Sequence, residues 1–244
     1  MATNSTFTIT FCDRAENHVG MQQIGTNVES GFDLRDLDVI RRKLLAKGIT
    51  SDIYDLNLES ENLGAYILLV KNFCQQIATD NLFAELSGLT WDSKARMYGR
   101  VVNKHARHNL CFDDGSQEPD YVNGRGRVVD FSSVPGLATI REVLTELTGQ
   151  KFVAEGNYYF DVDKCGIGYH GDSERKMVVG IRSGASMSLV YQWYYKLQPV
   201  EDRMEFQLDD GDMYIMSEKA TGNDWHKKNI YTLRHAAGCS KFTD

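Results

Sequence analysis

In the stretch FDLRDLDVIRRKLLAKGI, Leu34, Leu37, Ile40 and Leu44 recur every three or four residues, a spacing that predicts an amphipathic helix. Asp33 stands where an N-cap belongs, and Gly48 where a helix stops. AYILLVKNF predicts a buried strand, and NFCQQIATDNLFAEL a second amphipathic helix. After Pro135, the series Ile140, Val143, Leu144 and Leu147, closed by Gly149, predicts another helix. From Lys151 onward nearly every segment alternates like a strand: KFVAEGNYYFDV, KMVVGIRSG, SMSLVYQWYYK, RMEFQLDDG, DMYIMSE and NIYTLRHA. Short strands at near-regular spacing with turn residues between them point to a sandwich or barrel. The expected class is α+β, with residues 1–90 as an N-terminal α/β extension packed on a core formed by 91–244.

Composition narrows the setting. With 244 residues, 42% hydrophobic and 25% charged, the chain is long enough to bury a large core, and its three prolines argue against long linkers. No apolar run reaches the roughly 20 residues that span a bilayer. MATNSTFTITF lacks the basic segment and long apolar stretch of a signal peptide, so the expectation is a monomeric intracellular protein, cytoplasmic or nuclear, without a membrane partner. Cys12, Cys74, Cys111, Cys165 and Cys239 are odd in number and never form a CxxC pair, which favours reduced thiols. A net charge of −7 disfavours nonspecific binding to a polyanion and confines any nucleic-acid contact to a local patch. KARMYGRVVNKHARH, with Lys94, Arg96, Arg100, Lys104 and Arg107, is such a patch.

The candidate chemistry lies in GIGYHGDSE. His170 and Asp172 are two residues apart, and on a strand such residues share a face. One more histidine would complete a two-histidine, one-carboxylate triad, which leaves positions open on a divalent iron. The third ligand must come from a later strand, and the candidates are His226 in GNDWHKKN and His235 in TLRHAAG. Arg234 is placed to pair with a carboxylate through its two-pronged guanidinium.

In order, the segments NYY, GIGYHGDSE, VVGIRSG, GDMYIM, DWH and IYTLR resemble the AlkB-type branch of the Fe(II)/2-oxoglutarate oxygenases over about Tyr98 to Arg234. The resemblance implies a double-stranded β-helix (jelly-roll) core and makes His170, Asp172 and His226 the iron ligands. Arg234 would pair with the distal carboxylate of 2-oxoglutarate, and Asn157 and Tyr159 would contact the same cosubstrate. Glu174 would read the substrate, and the lid region Arg107–Asp114 with Tyr98 would supply His108, Phe112 and Tyr98 as stacking candidates. The sequence departs from the family pattern in the spacing of NYY to the histidine and of His226 to Arg234, which keeps His235 open as a rival ligand. In that case AAGCSKFTD, with Lys241, would be left to bind the cosubstrate.

The implied activity is that of an oxidoreductase, a dioxygenase using Fe(II), 2-oxoglutarate and O2 to demethylate or hydroxylate a modified base in DNA or RNA. An oxygenase of protein side chains or small metabolites is the alternative, and a non-catalytic jelly-roll binding module a third reading.

Overall fold

The computed structural model describes residues 4–244. In chain order the strands begin with β1 (Thr6–Cys12), β2 (Arg14–Glu16), β3 (Gln23–Gly25), β4 (Asp52–Asp55) and β5 (Tyr66–Val70). They continue with β6 (Lys94–Met97), β7 (Arg100–Asn103), β8 (His108–Asp113), β9 (Val128–Asp130), β10 (Val153–Tyr159) and β11 (Gly166–His170). Last come β12 (Val178–Gly184), β13 (Met187–Tyr195), β14 (Gln198–Leu208), β15 (Met213–Met216) and β16 (Thr232–Gly238). The helices are α1 (Leu34–Ala46), α2 (Phe73–Gln76), α3 (Leu82–Ser87), α4 (Pro135–Thr148), α5 (Glu218–Thr221) and α6 (Ser240–Thr243).

Helix α1 forms where the spacing predicts it, and Asp33 and Asp36 close a reciprocal capping box at its start. Helix α4 begins on Pro135 and ends at left-handed Gly149. The second predicted helix is instead two short ones, α2 and α3, because the chain between them breaks at Ala78, whose φ is +57°.

Eight strands form one sheet in the order β4-β5-β15-β12-β1-β10-β8-β9, antiparallel except for the parallel pair β8 and β9. A second sheet has the order β11-β16-β13-β14, and two hairpins, β2-β3 and β6-β7, stand apart. Strand period decides which residue faces which layer. Phe7, Ile9 and Phe11 of β1, Val179 and Ile181 of β12, and Leu110 and Phe112 of β8 pack with the buried faces of α1, α3 and α4. On the opposite face, Val178, Tyr214 and Met216 meet Leu189, Tyr191, Trp193 and Leu233 of the smaller sheet in a second apolar cluster. Helices, large sheet and small sheet thus form three layers.

The expected boundary near residue 90 does not exist in the fold. Strand β1 lies inside the large sheet, antiparallel to both β10 and β12, and β5 pairs with β15. The first 90 residues complete the core sheet, because β1 carries an apolar face that only the helices can cover and main-chain groups that only β10 and β12 satisfy.

Candidate metal centre

Strand β11 ends on His170, whose cross-strand partner in β16 is His235, and their rings lie 4.5 Å apart. Asp172 follows one glycine later, with its backbone N–H donating to Thr221 O at 2.9 Å. Gly171 is required by close approach: a Cβ there would lie 2.0 Å from Gly222 O and 2.8 Å from Trp225 Cδ1. The HGD turn is therefore pressed against the segment after α5, which fixes the carboxylate relative to both imidazoles.

Asp172 Oδ1 is 3.8 Å from His170 Nε2, and Asp172 Oδ2 is 3.9 Å from His235 Nε2. Both separations are too long for direct hydrogen bonds. One donor atom from each residue lies within 4.8 Å of the others, the sole such group able to hold a metal among the described residues. His170 Nδ1 is 2.8 Å from Gly168 O, which favours protonation at Nδ1 and leaves Nε2 its lone pair for the centre. Burial, then His170 and Arg175, hold the His235 imidazole well below its ordinary pKa, in the neutral form that binds metals. Two imidazoles and a carboxylate on one side of a cavity suit a divalent first-row metal such as Fe(II).

The cavity measures about 70 Å³ and opens between the two sheets. Its walls include Thr8, Thr10, Glu155, Asn157, Tyr159, Arg175, Arg182 and Tyr214 as well as the triad. Arg175 is buried beside Asp172, with its Nε 3.9 Å from Oδ2. Its guanidinium also donates to Glu155 Oε2 at 2.6 Å and to Glu174 Oε1. One cation thus offsets part of the charge of three carboxylates, Glu155, Glu174 and Asp172, and steadies Asp172. Arg182 differs: it is 1% exposed, and its one side-chain partner is Thr8 Oγ1 at 2.6 Å.

The structure corrects several assignments. His226 lies on the exposed turn before β16, its ring 4.1 Å from that of Trp225, and it does not join the group around His170. Arg234 neighbours His235 on β16 and therefore points to the opposite face, where its guanidinium sits 4.1 Å over the Tyr194 ring. Glu174 is already engaged by Arg175. His108 and Phe112 lie on the helix-facing side of β8, His108 beside Phe160 and Phe112 fully buried in the core. Tyr98, 92% exposed at the tip of the β6-β7 hairpin, is outside the cavity. Asn157 and Tyr159 do line it, and Asn157 Oδ1 accepts hydrogen bonds from Arg107 Nε at 2.7 Å and Asn109 Nδ2 at 2.8 Å. Lys241 falls in α6 rather than on a strand.

Arg182, Arg175 and Thr8 are the cavity residues that motif spacing does not reveal. For Arg182 a signal exists in VVGIRSG, where a lone charge interrupts a buried strand. Buried charged groups are rare unless paired or functional.

Lys104, just after β7, donates to Asn17 Oδ1 and Asn109 Oδ1, and burial pulls its ammonium down from 10.5 to about 8. Because the folded pKa is below the unfolded one, the folded chain binds fewer protons between pH 8 and 10.5, and stability rises with pH across that window. Wild type should therefore gain stability relative to Lys104→Met as the pH is raised from 8 toward 10. Urea denaturation measures this, and a pH-independent difference between the two proteins would refute it.

No protein-family profile matches the chain. It is 51% identical to "Uncharacterized protein R156" of Acanthamoeba polyphaga mimivirus over 245 aligned positions that span 97% of each chain. The chain belongs to the family of that viral protein. The similarity covers nearly the whole chain and so takes in the HGD turn. No helix among the described residues is long and apolar enough to cross a membrane, and the five cysteines are free thiols.

Proposed function

We propose that the protein is an Fe(II)- and 2-oxoglutarate-dependent oxygenase on a double-stranded β-helix (jelly-roll) core, acting on a modified base of a nucleic acid or nucleotide. The carrying observation is the convergence of His170, Asp172 and His235 on one polar cavity between two antiparallel sheets. The ligand set is that of the expected facial triad, with His235 in the place first given to His226.

When bound, the iron with 2-oxoglutarate and O2 supplies the oxidising power for inserting oxygen into a C–H bond, with release of succinate and CO2. The chain supplies the rest. His170, Asp172 and His235, all on the cavity wall, would hold the metal. Arg175 keeps Asp172 oriented. Thr8, Asn157 and Tyr159 give the cosubstrate side a polar wall, while the cluster around Tyr191, Trp193 and Leu233 keeps water from the opposite side.

The β6-β7 hairpin and the turn after it support the nucleic-acid assignment. Lys94, Arg96, Arg100, Lys104 and Arg107 occur there without an acidic residue, in a chain whose net charge is −7. Lys94, Arg96, Tyr98 and Arg100 are exposed, and Arg107 reaches the cavity wall through Asn157. A local cationic rim of this kind suits backbone phosphates.

The test is succinate release by the full chain with Fe(II) and 2-oxoglutarate, screened against methylated oligonucleotides, free nucleosides, amino acids and peptides. Stimulation by a methylated oligonucleotide is expected. Stimulation by peptides or metabolites alone would move the substrate to that class, and absence of Fe(II)-dependent 2-oxoglutarate binding would end the oxygenase reading.

A further inference from the structure

The cavity contains a second recognition element. In the large sheet the register sets Arg182, Thr8 and Asn157 side by side, one row on from Gly180, Thr10 and Glu155. Tyr159 follows in the next row, opposite Thr6. Glu155 binds Arg175, which steadies Asp172, so the row of Glu155 belongs to the metal side. Two residues along a strand advance roughly 7 Å. The row of Arg182 is therefore set off from the metal by about the span of a short ligand.

Arg182 is fully buried, its Nε has no hydrogen-bond partner, and it forms no ion pair among the described residues. Asp212, the nearest carboxylate by sequence pairing, is held by Lys71 and by the backbone N–H groups of Asn72 and Asp209. Gly180 leaves the space beside Arg182 for the Tyr214 ring: a Cβ at position 180 would lie 2.0 Å from Tyr214 Cζ. Arg182 is thus walled by Tyr214 and Tyr159 with one neutral hydroxyl donor and acceptor, Thr8, in reach. A guanidinium so enclosed has open donors facing the cavity and no protein anion to receive them.

We propose that Arg182, supported by Thr8 and Tyr159, is the carboxylate-binding subsite of this cavity and selects a short dicarboxylic ligand over a monocarboxylic one. The cation comes from β12, and β1 provides its partner, whereas Arg234 on the strand of the distal histidine is turned outward. That the carboxylate is the distal one of 2-oxoglutarate rests on the oxygenase reading. The anion subsite rests on the buried, unpaired guanidinium alone.

The experiment compares wild type with Arg182→Gln and Thr8→Val in the full chain. Co(II) binding is followed by dialysis, thermal unfolding without ligand by circular dichroism, and ligand binding by calorimetry. The ligands are 2-oxoglutarate and 2-oxobutanoate with the Co(II)-loaded protein, and glutarate with the metal-free protein. Arg182→Gln should bind Co(II) as wild type does and unfold at an equal or higher temperature, since it removes an uncompensated buried charge. Its affinity for 2-oxoglutarate should fall about 30-fold or more, with that for 2-oxobutanoate changed by less than about threefold. Thr8→Val should weaken 2-oxoglutarate binding by about threefold to tenfold.

Unchanged 2-oxoglutarate binding by Arg182→Gln overturns the proposal, and so does loss of folding in that variant, which would make the arginine structural. If wild type binds neither keto acid, the oxygenase reading fails by itself. In that case glutarate binding lost in Arg182→Gln still upholds the anion subsite, and glutarate binding absent from wild type or retained in the variant removes it.

Discussion

His235→Ala should abolish tight binding of Fe(II) or Co(II), whereas His226→Ala should leave the affinity within about threefold of wild type. The expectation follows from strand registry. His235 is the cross-strand partner of His170, and its Nε2 faces Asp172 Oδ2 at 3.9 Å. His226 is on an exposed turn beside Trp225. Removing one of three ligands leaves two, too few to hold a labile divalent ion against water, and the expected loss is several orders of magnitude. The Co(II) visible spectrum gives a readout independent of turnover: its intensity and shape report ligand number, and His170→Ala should behave as His235→Ala does. Full Co(II) affinity in His235→Ala, or its loss in His226→Ala, would refute the ligand assignment.

Phe7→Ala should lower the unfolding free energy by about 3–5 kcal/mol. Phe7 is 1% exposed and packs against Phe83, Trp91 and Tyr158 with ring centroids 5.3, 5.1 and 4.6 Å away. The cavity left behind is walled by α3, Trp91 and β10. Equilibrium urea unfolding, with the m-value held equal, reads the loss. A change below about 1 kcal/mol would mean that β1 is peripheral rather than central to the sheet. Thr8→Val, one residue further on but facing the cavity, should change stability far less, which separates the packing face of β1 from its ligand face.

Local signals carried much of the secondary structure. The caps at Asp33 and Gly149, Pro135 at a helix start, and the alternating runs after Lys151 are physical statements about single elements, and α1, α4, β10 and β12 to β16 follow from them. Pairing is another matter. Nothing inside TFTITFC indicates that it lies between β10 and β12, because that choice is made by the complementary edges of strands far along the chain. The separation at residue 90 failed for this reason. The pair His170 and Asp172 was legible from period two alone. The third member of the group was not, since both His226 and His235 stand near the right distance in sequence, and only the registry of β11 with β16 distinguishes them. The same registry turns Arg234 outward, and strand parity removes His108 and Phe112 from the cavity.

The place of β1 also bears on how the chain acquires its structure. Thr6 Oγ1 donates to Ser183 O, a contact between residues 177 positions apart in sequence. During synthesis β1 precedes both its neighbours, gaining β10 first and lacking the second until β12 has left the ribosome, so the sheet around its apolar face is incomplete in the interval. Contacts of such high sequence separation carry a large loop-closure entropy and slow the approach to the native state. The centre of the sheet should therefore form late and cooperatively, and nascent fragments that stop before residue 178 should expose Phe7, Ile9 and Phe11 to chaperones or to one another.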